Sequence, residues 1–294
     1  MVTPVLLGAL AVLLAGPFPW ALSRWTALRR TPAAAMLLWQ STALAAVLAA
    51  LGAGLSLATD RLWQPPVAAG DVVVAALAGV VTIVVAARLL VSGHRTGTAL
   101  RRMRRVHRER VDLVARVDDG VSVLEHDLPV AYCVPGMSAS RIVVSRSTLT
   151  RLAPAELGAV LEHERSHLRA RHDLVLEAFA VLHRAFPRWV ASAAARHEVE
   201  VLVEVLADRA AVRMGAGDRR ALVSALLALA GSHAPEGALG SAGSSLAARV
   251  EVLRDTRRHR VQAGVVLVLA AAILAVPTLL VVLPWLVDLR HASL

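Results

Sequence analysis

The chain has a single cysteine, Cys133, no lysine, no asparagine, and aromatic residues at only 3% of its 294 positions. One thiol excludes an intrachain disulfide framework and any metal site built from several cysteines. Charge is also scarce. Charged residues make up 18% and apolar residues 56%, against about 25% and about 45–50% in a globular domain. With a mean hydropathy of +0.59, that balance excludes an ordinary soluble protein. The apolar excess is gathered into a few long blocks, as a membrane protein requires.

A helix crossing the hydrocarbon needs about 20 mostly apolar residues, because lipid offers backbone groups no partner. Four stretches qualify, at about 4–22, 33–58, 71–90 and 262–287. Trp20, Trp25, Trp63 and Trp285 fall at or near their ends, where indoles favour the interface. Arg88, near the end of the third, can snorkel outward. The first block lacks a basic segment ahead of it, so it reads as a retained span rather than a cleaved secretory signal.

All 32 basic residues are arginine, and their placement sets an expected orientation. Arg24, Arg29 and Arg30 lie in the first connection, and only Arg61 in the second. Seven arginines follow between Arg95 and Arg110, and Arg254, Arg257, Arg258 and Arg260 precede the last span. The positive-inside rule then puts the first connection and the middle region in the cytoplasm, with both termini outside. The setting expected is a multi-pass protein of a bacterial plasma membrane. The net charge of +10 borders the spans, where anionic headgroups attract it. No nucleic-acid-binding signature accompanies it, so the partner expected at this point is the bilayer, with no direct nucleic acid. The oligomeric state stays open.

The expected organisation is three transmembrane helices in residues 1–93, a cytoplasmic domain over 94–261, and a fourth transmembrane helix with a short tail over 262–294. The fold class is a mainly α membrane protein carrying a small α+β domain with a β-hairpin. Arg101 to Val117 reads as a basic helical stalk and Val121 to Leu124 as a short strand. Val130–Val134 and Arg141–Ser145 are β-branched runs joined through Pro135-Gly136, which predicts a hairpin. Helical periodicity starts at Pro154, a first-turn position. Further helices are expected over about 174–185 and 190–214. Gly231 to Ser245 reads as a loop.

The helix from Pro154 holds His163-Glu164-Arg165-Ser166-His167. Residues at i and i+4 share a face, so the two imidazoles can converge on one ion. This is the HExxH arrangement, in which one turn supplies two zinc ligands and Glu164 as general base. A catalytic zinc takes three protein ligands and keeps one open position. Candidates for the third lie downstream, where Glu200, Glu204 and Asp208 are spaced by four along one helical face. His197 shares the face of Glu204 and is an alternative ligand or polar neighbour. His233, in the loop, is an accessory candidate for stabilising an oxyanion. His172 falls off the ligand face and suits a surface position or a supporting role. Arg209 is expected to pair with Asp208 or a neighbouring acid, and Cys133 to be a small buried residue.

HExxH followed by Glu-x-x-x-Asp resembles the gluzincin metallopeptidases. The text AYCVPG, RIVVSRSTLTRLAPAELGAVLEHERSHLRARHD, FPRW and EVLADRAAV is similar to that of BlaR/MecR-type membrane metallopeptidases, with HtpX-type membrane peptidases the nearest alternative. The resemblance is closest over about 131–212. It implies a zincin-like domain and one Zn2+ per chain. His163, His167 and Glu204 would be the ligands, Glu164 the base, and Asp208 the acceptor that orients a ligand imidazole. It also implies an endopeptidase acting on a cytoplasmic or membrane-proximal protein, in regulated proteolysis of a transcriptional repressor or signalling partner. HtpX-like quality control and a non-catalytic zinc-binding scaffold are the other readings. No penicillin-binding sensor is expected after the fourth span. Strand Arg141–Ser145 is expected either to serve as core sheet or to accept an extended peptide by strand addition.

Overall fold

The computed structural model describes residues 2–62, 66–136, 140–186, 193–214, 219–230, 239–240 and 246–292. In chain order the elements are α1 (Val2–Ala15), α2 (Pro17–Ser23), a 3-10 turn (Thr26–Arg30), α3 (Pro32–Leu62), α4 (Ala69–Val114), β1 (Arg116–Asp118) and β2 (Val121–Leu124). There follow β3 (Ala131–Val134), β4 (Arg141–Ser145), α5 (Arg146–Arg151), α6 (Pro154–Arg169), α7 (His172–Ala185) and α8 (Ala193–Arg213). The last are α9 (Arg219–Ala228), β5 (Leu239–Gly240), α10 (Leu246–Arg254) and α11 (Arg260–Ala292). Four segments are long and apolar enough to cross a membrane: Val2–Ser23, Pro32–Leu62, Ala69–Val114 and Arg260–Val281. The protein is a mainly helical, multi-pass membrane protein. The first segment is two helices, because Pro17 opens a new first turn after Gly16.

Two compact units divide the chain. One comprises residues 1–93, 181–198 and 259–294. Within it α1 and α11 pack against α3, and glycines set the approach. A Cβ on Gly52 would stand 2.6 Å from Val281 Cγ2, and one on Gly54 would stand 1.9 Å from Thr82 Oγ1. Small residues at such crossings let helices meet where lipid removes the usual hydrophobic drive. Arg29 grips the Glu198 carboxylate with Nε and Nη2, and Gln262 Nε2 donates to Ala27 O at 2.9 Å. Arg88 does more than reach outward. Its Nε donates at 2.8 Å to the carbonyl of Ala185, at the end of α7, where helical carbonyls lack internal partners.

The other unit comprises residues 94–180 and 199–258. Its mixed sheet has four strands and a two-residue fifth, in the order β1-β2-β4-β3-β5. β2 runs parallel to β4, and the other pairs are antiparallel. The expected hairpin is β3 and β4, with Cys133 opposite Ile142. One sheet face puts Val123, Cys133 and Val144 against Val160 of α6 and Ala225 of α9. The other puts Tyr132, Val134 and Val143 against Val111. Strands buried on both faces explain the continuous apolar runs that marked them in the sequence.

Several expectations change. The stalk helix ends at Val114 rather than Val117, because Asp119 (φ 44°) and Gly120 (φ 76°) form a tight turn that folds β1 back onto β2. Helix α5 was not anticipated; Ser145 Oγ accepts from Thr148 N at 3.1 Å and caps it. β4 is unavailable for strand addition, since β2 and β3 already take both of its edges. Within the expected loop, Leu239 and Gly240 form β5. The remainder of that loop with His233, the stretch 187–192, and the side chains of Trp63 and Trp285 lie outside the described residues.

Candidate metal centre

Helix α6 starts cleanly. Pro154 occupies its first turn, and Glu156 Oε2 accepts from the otherwise unpaired Ala153 N at 2.9 Å. Leu157, Val160, Leu161 and Leu168 turn one face into the sheet core. The face carrying His163 and His167 is buried as well, at 1% and 0% exposure. Arg171 takes a left-handed conformation (φ 51°) just past the helix. That sharp reversal brings His172, the first residue of α7, against His167: their Nδ1 atoms are 3.1 Å apart.

The second wall is α8, where Val201, Leu202, Val203, Val205 and Ala207 are buried on nearly every side. A helix so enclosed exposes no solvated acidic stripe, and its acids Glu204 and Asp208 point at α6. His163 Nε2 lies 3.1 Å from His167 Nε2 and 3.4 Å from Glu204 Oε2. His167 Nε2 lies 3.5 Å from Glu204 Oε1. Donors bound tetrahedrally at about 2.0–2.1 Å from zinc stand about 3.3 Å apart, so this triangle has the right size for that ion. Among the described residues these three form the one group of ligating side chains able to hold a metal. Glu204, at 17% exposed, is its most accessible member.

Each imidazole has support behind it. Asp208 Oδ1 lies 2.9 Å from His163 Nδ1, and His172 stands behind His167. Glu164 is wholly buried, and neither of its oxygens has an N–H or O–H donor among the described residues. Its polar neighbour is the Cys133 thiol. Burial raises the Glu164 carboxyl to about 7, and the Glu204 charge adds to the effect against the pull of His163. Burial also pushes the Cys133 thiol well up, leaving it protonated and inert.

Arg249 is the residue that sequence reasoning missed. It is 1% exposed and, among the described residues, the largest fully buried side chain. Nε and Nη2 donate to Asp208 at 2.8 and 2.6 Å, and Nη1 lies 3.0 Å from Glu204 Oε2. Arg209, expected to pair with Asp208 or a neighbouring acid, is not among these contacts; burial opposes its charge and the acid Asp255 favours it. A signal was present. Leu246, Arg249 and Leu253 share a helical face, and an arginine on an apolar stripe needs buried carboxylates. His197 and Glu200 are exposed and stand outside the group of three.

Four membrane-crossing helices and an HExxH turn closed by a glutamate from a second helix define a membrane zinc metallopeptidase. Residues 99–257, more than half of the chain, match Peptidase family M48, and the chain belongs to that family. No curated protein and no solved structure matches it.

Proposed function

We propose that the protein is an integral-membrane endopeptidase that cuts a cytoplasmic or membrane-proximal protein. The observation that carries this reading is the His163–His167–Glu204 triangle beside the buried Glu164, whose polar neighbour is the Cys133 thiol. His163, His167 and Glu204 would hold one zinc ion per chain. Zinc held there supplies a Lewis acid that polarises a carbonyl and makes water nucleophilic near neutral pH. Glu164 takes the proton of the attacking water and returns it to the departing amide nitrogen. Burial raises its carboxyl in the metal-free site, which favours its taking up that proton. Asp208 and His172 hold the two imidazoles in fixed orientation and tautomer.

In this reading residues 94–261 form the catalytic domain on the cytoplasmic side of a bacterial plasma membrane, with both termini outside. The support is the arginine asymmetry. The narrower role is BlaR/MecR-type regulated proteolysis of a repressor or signalling partner, supported by the text around the motif. HtpX-like quality control is the second reading, and the M48 match is compatible with both. A non-catalytic scaffold would have no use for Glu164.

The test is full-length protein purified in detergent, analysed for metal and assayed on an unstructured protein such as casein. Glu164→Gln should keep zinc and lower cleavage by about 10²–10⁴-fold. Equal cleavage by both forms refutes the reading. Digestion of the middle region by external protease in intact cells would overturn the orientation.

A further inference from the structure

The geometry points to Arg249 as a positioning residue that builds the acidic half of the metal centre. This rests on the reading of His163, His167 and Glu204 as zinc ligands. Glu204 and Asp208 sit one turn apart on α8 and play different parts, since one meets the ion and the other backs His163. A glutamate has several rotatable bonds, and nothing within α8 dictates which rotamer Glu204 adopts. Arg249 reaches in from another helix, α10, and contacts both acids with separate nitrogens. Its fork clamps both Asp208 oxygens, leaving Oδ1 also 2.9 Å from His163 Nδ1. Its remaining nitrogen forms an ion pair with Oε2 of Glu204 at 3.0 Å. One guanidinium therefore sets the third ligand and the support of the first.

Charge explains why the position needs a cation. Two carboxylates one turn apart in a buried site repel each other and are costly to desolvate. An ammonium in the same place would supply charge without the planar, multi-donor fork that reaches both acids at once. Lysine should therefore satisfy the electrostatics and fail the geometry, which separates positioning from simple neutralisation.

The experiment uses full-length protein in detergent and compares wild type with Arg249→Lys. Three properties are read: zinc affinity against a competing chelator, the visible absorption bands of the Co2+-substituted protein, and thermal unfolding of the metal-free form. Positioning predicts zinc binding weaker by about 10–100-fold, shifted cobalt bands, and metal-free unfolding like that of wild type. Native zinc affinity with native bands overturns the proposal. So does a metal-free Arg249→Lys protein already destabilised as much as the metal-loaded one, since Arg249 would then be a strut of the fold. A double-mutant cycle on the pair gives a second, independent reading. Arg249→Met and Asp208→Asn together remove both sides of the pair. Their combined loss of zinc affinity should fall short of the sum of the separate losses, and strict additivity overturns the proposal. Wild-type protein that holds no zinc would instead mark failure of the ligand assignment itself.

Discussion

The rings of His167 and His172 meet edge to face at 84°, with their Nδ1 atoms 3.1 Å apart. One nitrogen must donate and the other accept, so the contact requires at least one neutral ring. It also leaves Nε2 of His167 facing His163 and Glu204. Burial depresses the basicity of both imidazoles, His167 to about 3 and His172 to about 4. Both are therefore neutral at physiological pH, the form a metal ligand needs.

His172→Leu removes the partner of His167 while keeping a buried apolar body. Zinc affinity should fall about 10–100-fold, measured by chelator competition, with the larger part of the activity recovered in excess zinc. Unchanged affinity would make the contact incidental.

Glu204→Ala should yield protein without zinc, and Glu200→Ala protein with a full complement. The two acids are one turn apart, but only Glu204 joins the imidazoles, while Glu200 is exposed. Elemental analysis of the two purified variants decides it. Zinc loss from Glu200→Ala would move the third ligand.

The metal-free protein should have a pH-dependent stability with opposite slopes on either side of about 6.5. Burial opposes charge on His163, but Asp208 and Glu204 outweigh it and raise the group to about 9. Its contribution is fully present below about pH 6.5 and is lost as pH rises through 9. His167 and His172 are depressed, so below about 6.5 the unfolded chain binds protons that the folded chain does not, and stability falls toward pH 4. Zinc must displace the His163 proton, so its apparent affinity should climb between about pH 6.5 and 9. Calorimetric titration of zinc in buffers of different ionisation enthalpy reads the released proton. A pH-independent affinity would refute the assignment.

Gly54→Ala tests the crossing of α3 and α4. The added methyl meets Thr82 Oγ1 at 1.9 Å and Ala78 O at 3.2 Å, so helices or side chains must shift, at a cost of about 1–3 kcal/mol. Gly79→Ala, with nothing within 4 Å of its Cβ position, is the matched control. Thermal stability in detergent should drop for the first and hold for the second.

Local chemistry made much of this legible. Spans show as long apolar blocks because lipid demands internally satisfied helices, and the HExxH turn is visible because i and i+4 share a face whatever surrounds them. The spacing of Glu204 and Asp208 belongs to the same short-range logic. β1 and α5 were hidden because three to six residues are decided by a turn at Asp119-Gly120 and a cap at Ser145, which leave no periodicity.

The sequence by itself determined a helical membrane protein with two imidazoles and a carboxylate on one turn. Only the tertiary structure decided what closes the site. Glu204 rather than His197 or Glu200 faces the imidazoles, His172 backs His167, and Arg249 from a distant helix holds Asp208 and Glu204. The physical reason is that which carboxylate meets which cation depends on helices far apart in the chain packing against one another, as Val201 and Val205 of α8 do with Val252 of α10, and Ala159 of α6 with Ala211 and Leu253. Spacing within one helix cannot encode that packing.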